Sequence, residues 1–168
     1  MKNLIKSFGY AFSGIAYCIN KERNLRIHLC FLVYMFGFLT IHDFFKVSRT
    51  QFAILITVSA LVIALELVNT GIEKAVDLAA DEKILPFAKI AKDAAAGAVL
   101  IAAIGAVAVG LVILYQPAAF AAMAEYYKAH IPELILLIVT VLFSFVFVFA
   151  GPSKIFSLFR KNKEQKND

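Results

Sequence analysis

The chain has 168 residues, of which 61% are hydrophobic and 17% charged, with no tryptophan, and its mean hydropathy is +0.80. A composition this apolar excludes an ordinary soluble domain, and the length leaves room for about one domain. The net charge of +5 comes without a basic and aromatic motif for nucleic acid, so the excess of Lys and Arg is read through membrane topology instead.

Residues 1–24 hold no uninterrupted apolar core, and KERNLR stands where a cleavage site should follow. A cleavable signal is therefore not expected, and the mature chain is expected to begin near Met1. In LIKSFGYAFSGIAYCI the apolar and small residues fall at helical spacing, interrupted by Lys6 and Ser7, which predicts an amphipathic helix lying in the membrane interface. Four apolar stretches follow, at 25–41, 52–68, 94–115 and 131–151, each close to the roughly 20 residues a spanning helix needs. Lipid offers no partners to backbone amides, and these runs are long rather than short and alternating, so the fold class is all-α integral membrane, with a surface helix and four spans.

The third span, DAAAGAVLIAAIGAVAVG, is rich in small residues that let helices approach closely, and is expected in the middle of the bundle. The fourth, LILLIVTVLFSFVFVFA, is bulky and uncharged and is expected at the lipid-facing periphery. Between them, Pro117 and Pro132 interrupt the pattern, placing a boundary near residues 116–131 between a compact three-span unit and an accessory fourth helix. The loop DLAADEKILPFAKIAKD leads to Lys92 and Asp93 at the expected mouth of the third helix, where an acidic residue would favour the helix dipole.

Basic residues set the orientation. Lys2, Lys6, Lys21, Arg23 and Arg26 precede the first span; Lys74, Lys83, Lys89 and Lys92 lie between the second and third; Lys154, Arg160, Lys161, Lys163 and Lys166 follow the fourth. The other two loops hold only Lys46, Arg49 and Lys128. Both termini and the second-to-third loop are thus expected on the cytoplasmic side of the membrane, against anionic lipid. Cys18 and Cys30, and the scattered His28, His42 and His130, make no metal-site spacing and are read as structural.

ELVNTGIEKAVD, at residues 66–77, places Glu66, Asn69, Glu73 and Asp77 at the end of the second span. At about 100° per residue they share one face within an arc of roughly 80°. A carboxylate in the apolar membrane costs about 2.5–3.5 kcal/mol, so such a residue is a functional candidate by default. Glu66, set among Ile63, Leu65 and Leu67, is suited to a general base, and the shallower Glu73 to a hard cation. Asp77 reads as a solvated helix end, and Glu22, among Lys21, Arg23 and Arg26, as a solvated cluster of mixed charge.

Carboxylates, a lysine and a helix start at one membrane surface suit phosphoryl transfer, in which a divalent ion bridges nucleotide oxygens and a carboxylate takes the proton of an attacking hydroxyl. The chain has no GxxxxGK[ST] or kinase-type glycine loop, so nucleotide use is an inference at this point. A small ion-coupled transporter subunit is the rival from another class. It predicts acidic groups with access from both sides, whereas the outer halves of the second and third spans hold no ionisable residue.

ELVNTGIEKAVD resembles the ExxN[ST]xIExxxD signature of the prokaryotic diacylglycerol kinase family, the small bacterial membrane lipid kinases. KDAAAGAVLI resembles the family's third-helix motif, and GYAFSGIAYCINKERNLRIH its surface helix and following acidic site; the likeness spans about residues 4–114. ERNLRIH, VDLAADEK and PFAKIAKDAAAGAV are similar to the Gram-positive branch. The resemblance implies ATP-dependent phosphorylation of undecaprenol, with diacylglycerol as the alternative lipid, by a homotrimer of three-span protomers whose sites are shared between chains. It implies Glu66 as general base, Glu22 and Glu73 as ligands of the magnesium that bridges ATP, Lys92 as a phosphate contact and Asp93 as its nucleotide-binding neighbour. Asn69 is implied as an active-site asparagine and Tyr10 as a nucleotide contact. Residues 1–118 would form the kinase unit and 119–168 an accessory helix and basic cytoplasmic tail; no nucleotide contact is assigned in the loop at 78–88.

Overall fold

A computed structural model describes residues 2–80 and 86–157, with side chains from residue 4 onward. Glu82 and Lys83 of the second-to-third loop, and the tail that carries Arg160, Lys161, Lys163 and Lys166, lie outside the described residues. The elements are all helical: α1 (Lys2–Lys21), α2 (Arg23–Ile41), α3 (Arg49–Ala79), α4 (Pro86–Leu114), α5 (Pro117–Ala129) and α6 (Ile131–Ala150). Four of them, α2, α3, α4 and α6, are long and apolar enough to cross a membrane, so the protein is a multi-pass, all-α membrane protein.

α1 is the expected amphipathic helix. Leu4, Ile5, Phe8, Phe12 and Ile15 are all exposed and recur at intervals that set them on one face, an apolar stripe left for lipid to cover. α1 ends at Glu22, whose extended backbone (φ −96°, ψ 114°) turns the chain into α2.

α3 is the centre. It packs against α1, α2 and α4, and its 31 residues give a length of about 46 Å, well beyond a hydrocarbon core of roughly 30 Å. Its start is fixed by a capping box, in which Ser48 Oγ accepts from the Gln51 amide and Gln51 Oε1 accepts from the Ser48 amide. This satisfies two donors the helix would otherwise leave open. Leu55, Ser59, Val62, Glu66 and Thr70 form its buried row, spaced by four and three residues as one face requires.

The expectation that the third span occupies the middle does not hold within a single chain. α4 packs on α3 alone among the described helices, and a side chain added at Gly97, Gly105 or Gly110 would meet nothing within 4 Å. The buried polar groups of α3 need protein partners on several sides, which puts α3 at the centre, while the small side chains of α4 leave it a smooth outer face. α6 packs on α2 and α5 and makes no backbone approach to α3 or α4.

Residues 117–129 are helical, where the prolines were read as interruptions. Pro117 and Pro132 each stand in a first helical turn, where the missing N–H has no acceptor to lose. α5 crosses the end of the bundle remote from Glu22. Gln116 Nε2 donates to the Lys46 carbonyl and Gln116 Oε1 accepts from the Lys46 amide, both at 3.1 Å. His42, Phe44, Tyr126 and His130 stack there, an aromatic layer of the kind found at membrane interfaces. His42 and His130 thus have structural places, and Cys18 and Cys30 are free thiols.

Candidate functional site

The acidic stripe of α3, the Glu22 corner and the first turns of α4 meet at one end of the bundle. Glu66 is 4% exposed and continues the buried row of α3 toward that end. The Thr70 hydroxyl donates to the Glu66 carbonyl at 3.0 Å, so Thr70 is satisfied within the helix and the Glu66 carboxylate is left to others. His28 supplies the contact: its Nε2 lies 3.4 Å from Glu66 Oε1. The charges of Glu22, at the α1–α2 corner, and of Glu73, on α3, also act on Glu66.

Asn69 Nδ2 donates to Glu73 Oε1 at 3.0 Å, one helical turn away, and fixes that carboxylate. Asn69 Oδ1 is buried and has no hydrogen-bond partner among the described residues, and a buried acceptor left open is costly unless something else fills it. Lys92 Nζ donates to Asp77 Oδ1 at 2.9 Å, closing the α3–α4 hairpin, and Glu73 lies near enough to act on Lys92. Asp77 is therefore paired across helices rather than simply solvated.

Two other expectations change. α4 is described from Pro86 onward, so Lys92 and Asp93 lie inside it and neither caps the helix. Asp93 pairs with Lys89 on an exposed face, and Tyr10 is 76% exposed on α1. The chain by itself thus brings together Glu22, Glu66, Asn69, Glu73 and Lys92, and leaves Tyr10 and Asp93 facing outward. His28 was missed as a site residue, because its partner lies on another helix and a lone histidine in an apolar run carries no spacing signal.

Among the described residues no three His, Cys, Asp or Glu side chains lie close enough together to hold a metal ion. Glu22 and Glu73 offer hard carboxylate oxygens, and the open Asn69 Oδ1 adds a neutral one. This donor set fits magnesium, which is held by one or two carboxylates and completes its shell with substrate phosphates and water.

A groove of about 480 Å³ runs along α3 between α2 and α4, from Ile27 and His28 toward Tyr115 and Phe120. Its wall is apolar apart from His28, Ser59 and Tyr115. From Ala103 to Leu114 on α4 it extends about 16 Å, and α5 closes its far end through Phe120. An apolar channel thus leads to the histidine that touches a buried carboxylate.

These features define a class: a multi-pass helical membrane protein with an acidic cluster at one end of the bundle, beside an apolar groove. The family model described as prokaryotic diacylglycerol kinase matches residues 9–114. A diacylglycerol kinase of Synechocystis sp. is 44% identical over 115 residues, covering 68% of this chain and 64% of that relative. An undecaprenol kinase of Bacillus subtilis is 38% identical over 115 residues, covering 67% of this chain and 89% of that relative. The chain spans less than two thirds of the length of the Synechocystis protein. No solved structure matches the chain. The chain belongs to the prokaryotic diacylglycerol kinase family.

Proposed function

We propose that the protein is an ATP-dependent lipid kinase that phosphorylates undecaprenol at the cytoplasmic surface of the membrane, with diacylglycerol as the alternative acceptor. The observation that carries the reading is a carboxylate, Glu66, buried to 4% exposure and met by His28 at the polar end of an apolar groove. The names of the two relatives support both acceptors, and the groove favours a long apolar alcohol that enters from the side.

In this reading the lipid tail lies in the groove and its hydroxyl reaches Glu66. The hydroxyl oxygen attacks the γ-phosphorus of ATP, its proton passes to the Glu66 carboxylate, and ADP leaves. His28 holds that carboxylate toward the groove. Glu22 and Glu73, with Asn69, would hold magnesium, which supplies neutralisation of nucleotide charge when bound. Lys92 exchanges its bond to Asp77 for a phosphate oxygen, a small rearrangement because both side chains are partly exposed.

Tyr10 and Asp93 are assigned to the nucleotide with a neighbouring copy in mind, since both face away from the site of their own chain. Support for a homotrimer is that α4, with its small side chains, packs on one helix only. Support for placing the site end in the cytoplasm is the concentration of Lys and Arg there, among them Lys21, Arg23, Lys89 and Lys92. Residues 1–118 carry these assignments as the kinase unit.

The test is transfer of labelled γ-phosphate from ATP to undecaprenol or diacylglycerol by the purified full chain in detergent, with magnesium varied. Labelled undecaprenyl phosphate is expected. Absence of a phosphorylated product from any lipid alcohol would sink the reading.

A further inference from the structure

One buried cation has no part in the chemistry above. Arg26 is 5% exposed, and among the described residues no carboxylate pairs with it. Its guanidinium donates instead to three backbone carbonyls: Nε to Val148 at 3.0 Å, and Nη1 to Ile19 at 2.8 Å and to Asn20 at 3.1 Å. All three belong to the last turns of helices, Val148 of α6 and Ile19 and Asn20 of α1. Such carbonyls have no partner within their own helix and carry the negative end of its dipole. A planar, permanently charged group with several donors in fixed directions is suited to serve two helix ends at once.

The joint is built from the α6 side as well. Gly151 ends α6 at φ 76°, a conformation that side-chain-bearing residues rarely adopt. A Cβ there would stand 3.4 Å from the Asn20 carbonyl oxygen and 3.5 Å from Arg26 Cζ. Ser153 Oγ donates to Asn20 Oδ1 at 2.7 Å, and Arg23 lies over the Phe149 ring at 5.9 Å. Arg23 and Arg26 of α2 and Asn20 of α1 thus grip the end of a helix that lies wholly outside the family-matched segment, residues 9–114.

Glu22 stands between the parts that Arg26 joins. It is the extended residue linking α1 to α2, its amide bonds back to Cys18 in α1 at 2.7 Å, and its side chain makes no capping bond. The place from which that side chain extends is therefore set by how α1 is held against α2.

We infer that Arg26 is a positioning residue: by fastening the ends of α1 and α6 to α2 it holds Glu22 in register with Glu66 and Glu73, and the fourth membrane helix is a working part of the site. The inference rests on the lipid-kinase reading and adds to it a role for residues beyond the family-matched segment.

The test compares the full chain with Arg26→Ala, which removes the joint from the α2 side, with Gly151→Val, which pushes α6 off it while leaving Arg26 in place, and with the double variant. Steady-state kinetics with magnesium–ATP and lipid alcohol varied separately give the split between KM and kcat. Each single change is expected to raise KM for magnesium–ATP about tenfold, the size found when the support of a metal ligand is removed. kcat and the lipid KM should stay within about twofold, and the double variant should be no worse than the worse single, since both break one joint. Unchanged nucleotide KM in the singles, or effects that multiply in the double, would overturn the inference. If Arg26→Ala does not fold in detergent, Gly151→Val decides by itself. An inactive wild-type chain would speak against the kinase reading instead, which keeps the two failures apart.

Discussion

His28 Nε2 lies 3.4 Å from Glu66 Oε1, joining the start of α2 to the buried row of α3 where the apolar groove ends. The contact places the one imidazole of the groove wall beside its nearest carboxylate, and it gives Glu66 a fixed direction that its own helix does not supply.

Glu66→Gln keeps the shape of the buried side chain and removes its capacity to take a proton. Phosphoryl transfer should fall by about a thousandfold, within the range for loss of a general base, while nucleotide binding measured by a fluorescent ATP analogue stays near wild type. Full activity in this variant would refute the base assignment.

His28→Ala leaves the carboxylate in place but frees its orientation. kcat is expected to fall about tenfold, as for other positioning partners, with KM for magnesium–ATP little changed. A variant indistinguishable from wild type in kcat would show that the contact has no part in turnover.

Glu73→Gln and Asn69→Ala address the other carboxylate, which Asn69 holds at 3.0 Å. Each should raise the magnesium concentration needed for half-maximal activity, by about tenfold for Asn69→Ala and by more for Glu73→Gln. Titration of activity with magnesium at fixed ATP is the measurement, and a magnesium response identical to wild type in Glu73→Gln would remove it from the ion site.

Ala106→Phe puts a ring into the groove between α2, α3 and α4. The expected result is a rise of about tenfold in KM for undecaprenol, equivalent to about 1.4 kcal/mol of lost binding, with nucleotide KM preserved. Equal kinetics for a long and a short lipid alcohol in both proteins would argue that the tail lies elsewhere.

Asp77→Asn releases Lys92 from its 2.9 Å partner. Both groups are partly exposed, and ion pairs of that kind contribute little to folding, so thermal unfolding in detergent should stay close to wild type. The nucleotide KM should change, because Lys92 no longer exchanges one partner for another. A large drop in unfolding temperature with unchanged KM would make the pair structural.

Much of this was legible in the chain because membrane solvent acts on local composition. Runs of about 20 apolar residues must become helices in lipid, so the spans at 25–41, 52–68, 94–115 and 131–151 correspond to α2, α3, α4 and α6. The polar face of Glu66, Asn69, Glu73 and Asp77 follows from helical period alone. Less legible were the helix ends: α3 and α4 run on past their apolar runs, since polar residues outside the hydrocarbon remain good helix formers.

What the sequence by itself determined is therefore the class of protein, the four spans, and which carboxylates share a face of α3. Only the tertiary structure decided that His28 meets Glu66, that Asp77 belongs to Lys92, that α3 rather than α4 is central, and that α6 is tied to the end of α1 through Arg26. The physical reason is range. Hydropathy and helical period act over a few turns of one helix, whereas Arg26 finds Val148 across 122 positions of chain, a pairing that exists only once whole helices have packed and their terminal carbonyls need a donor.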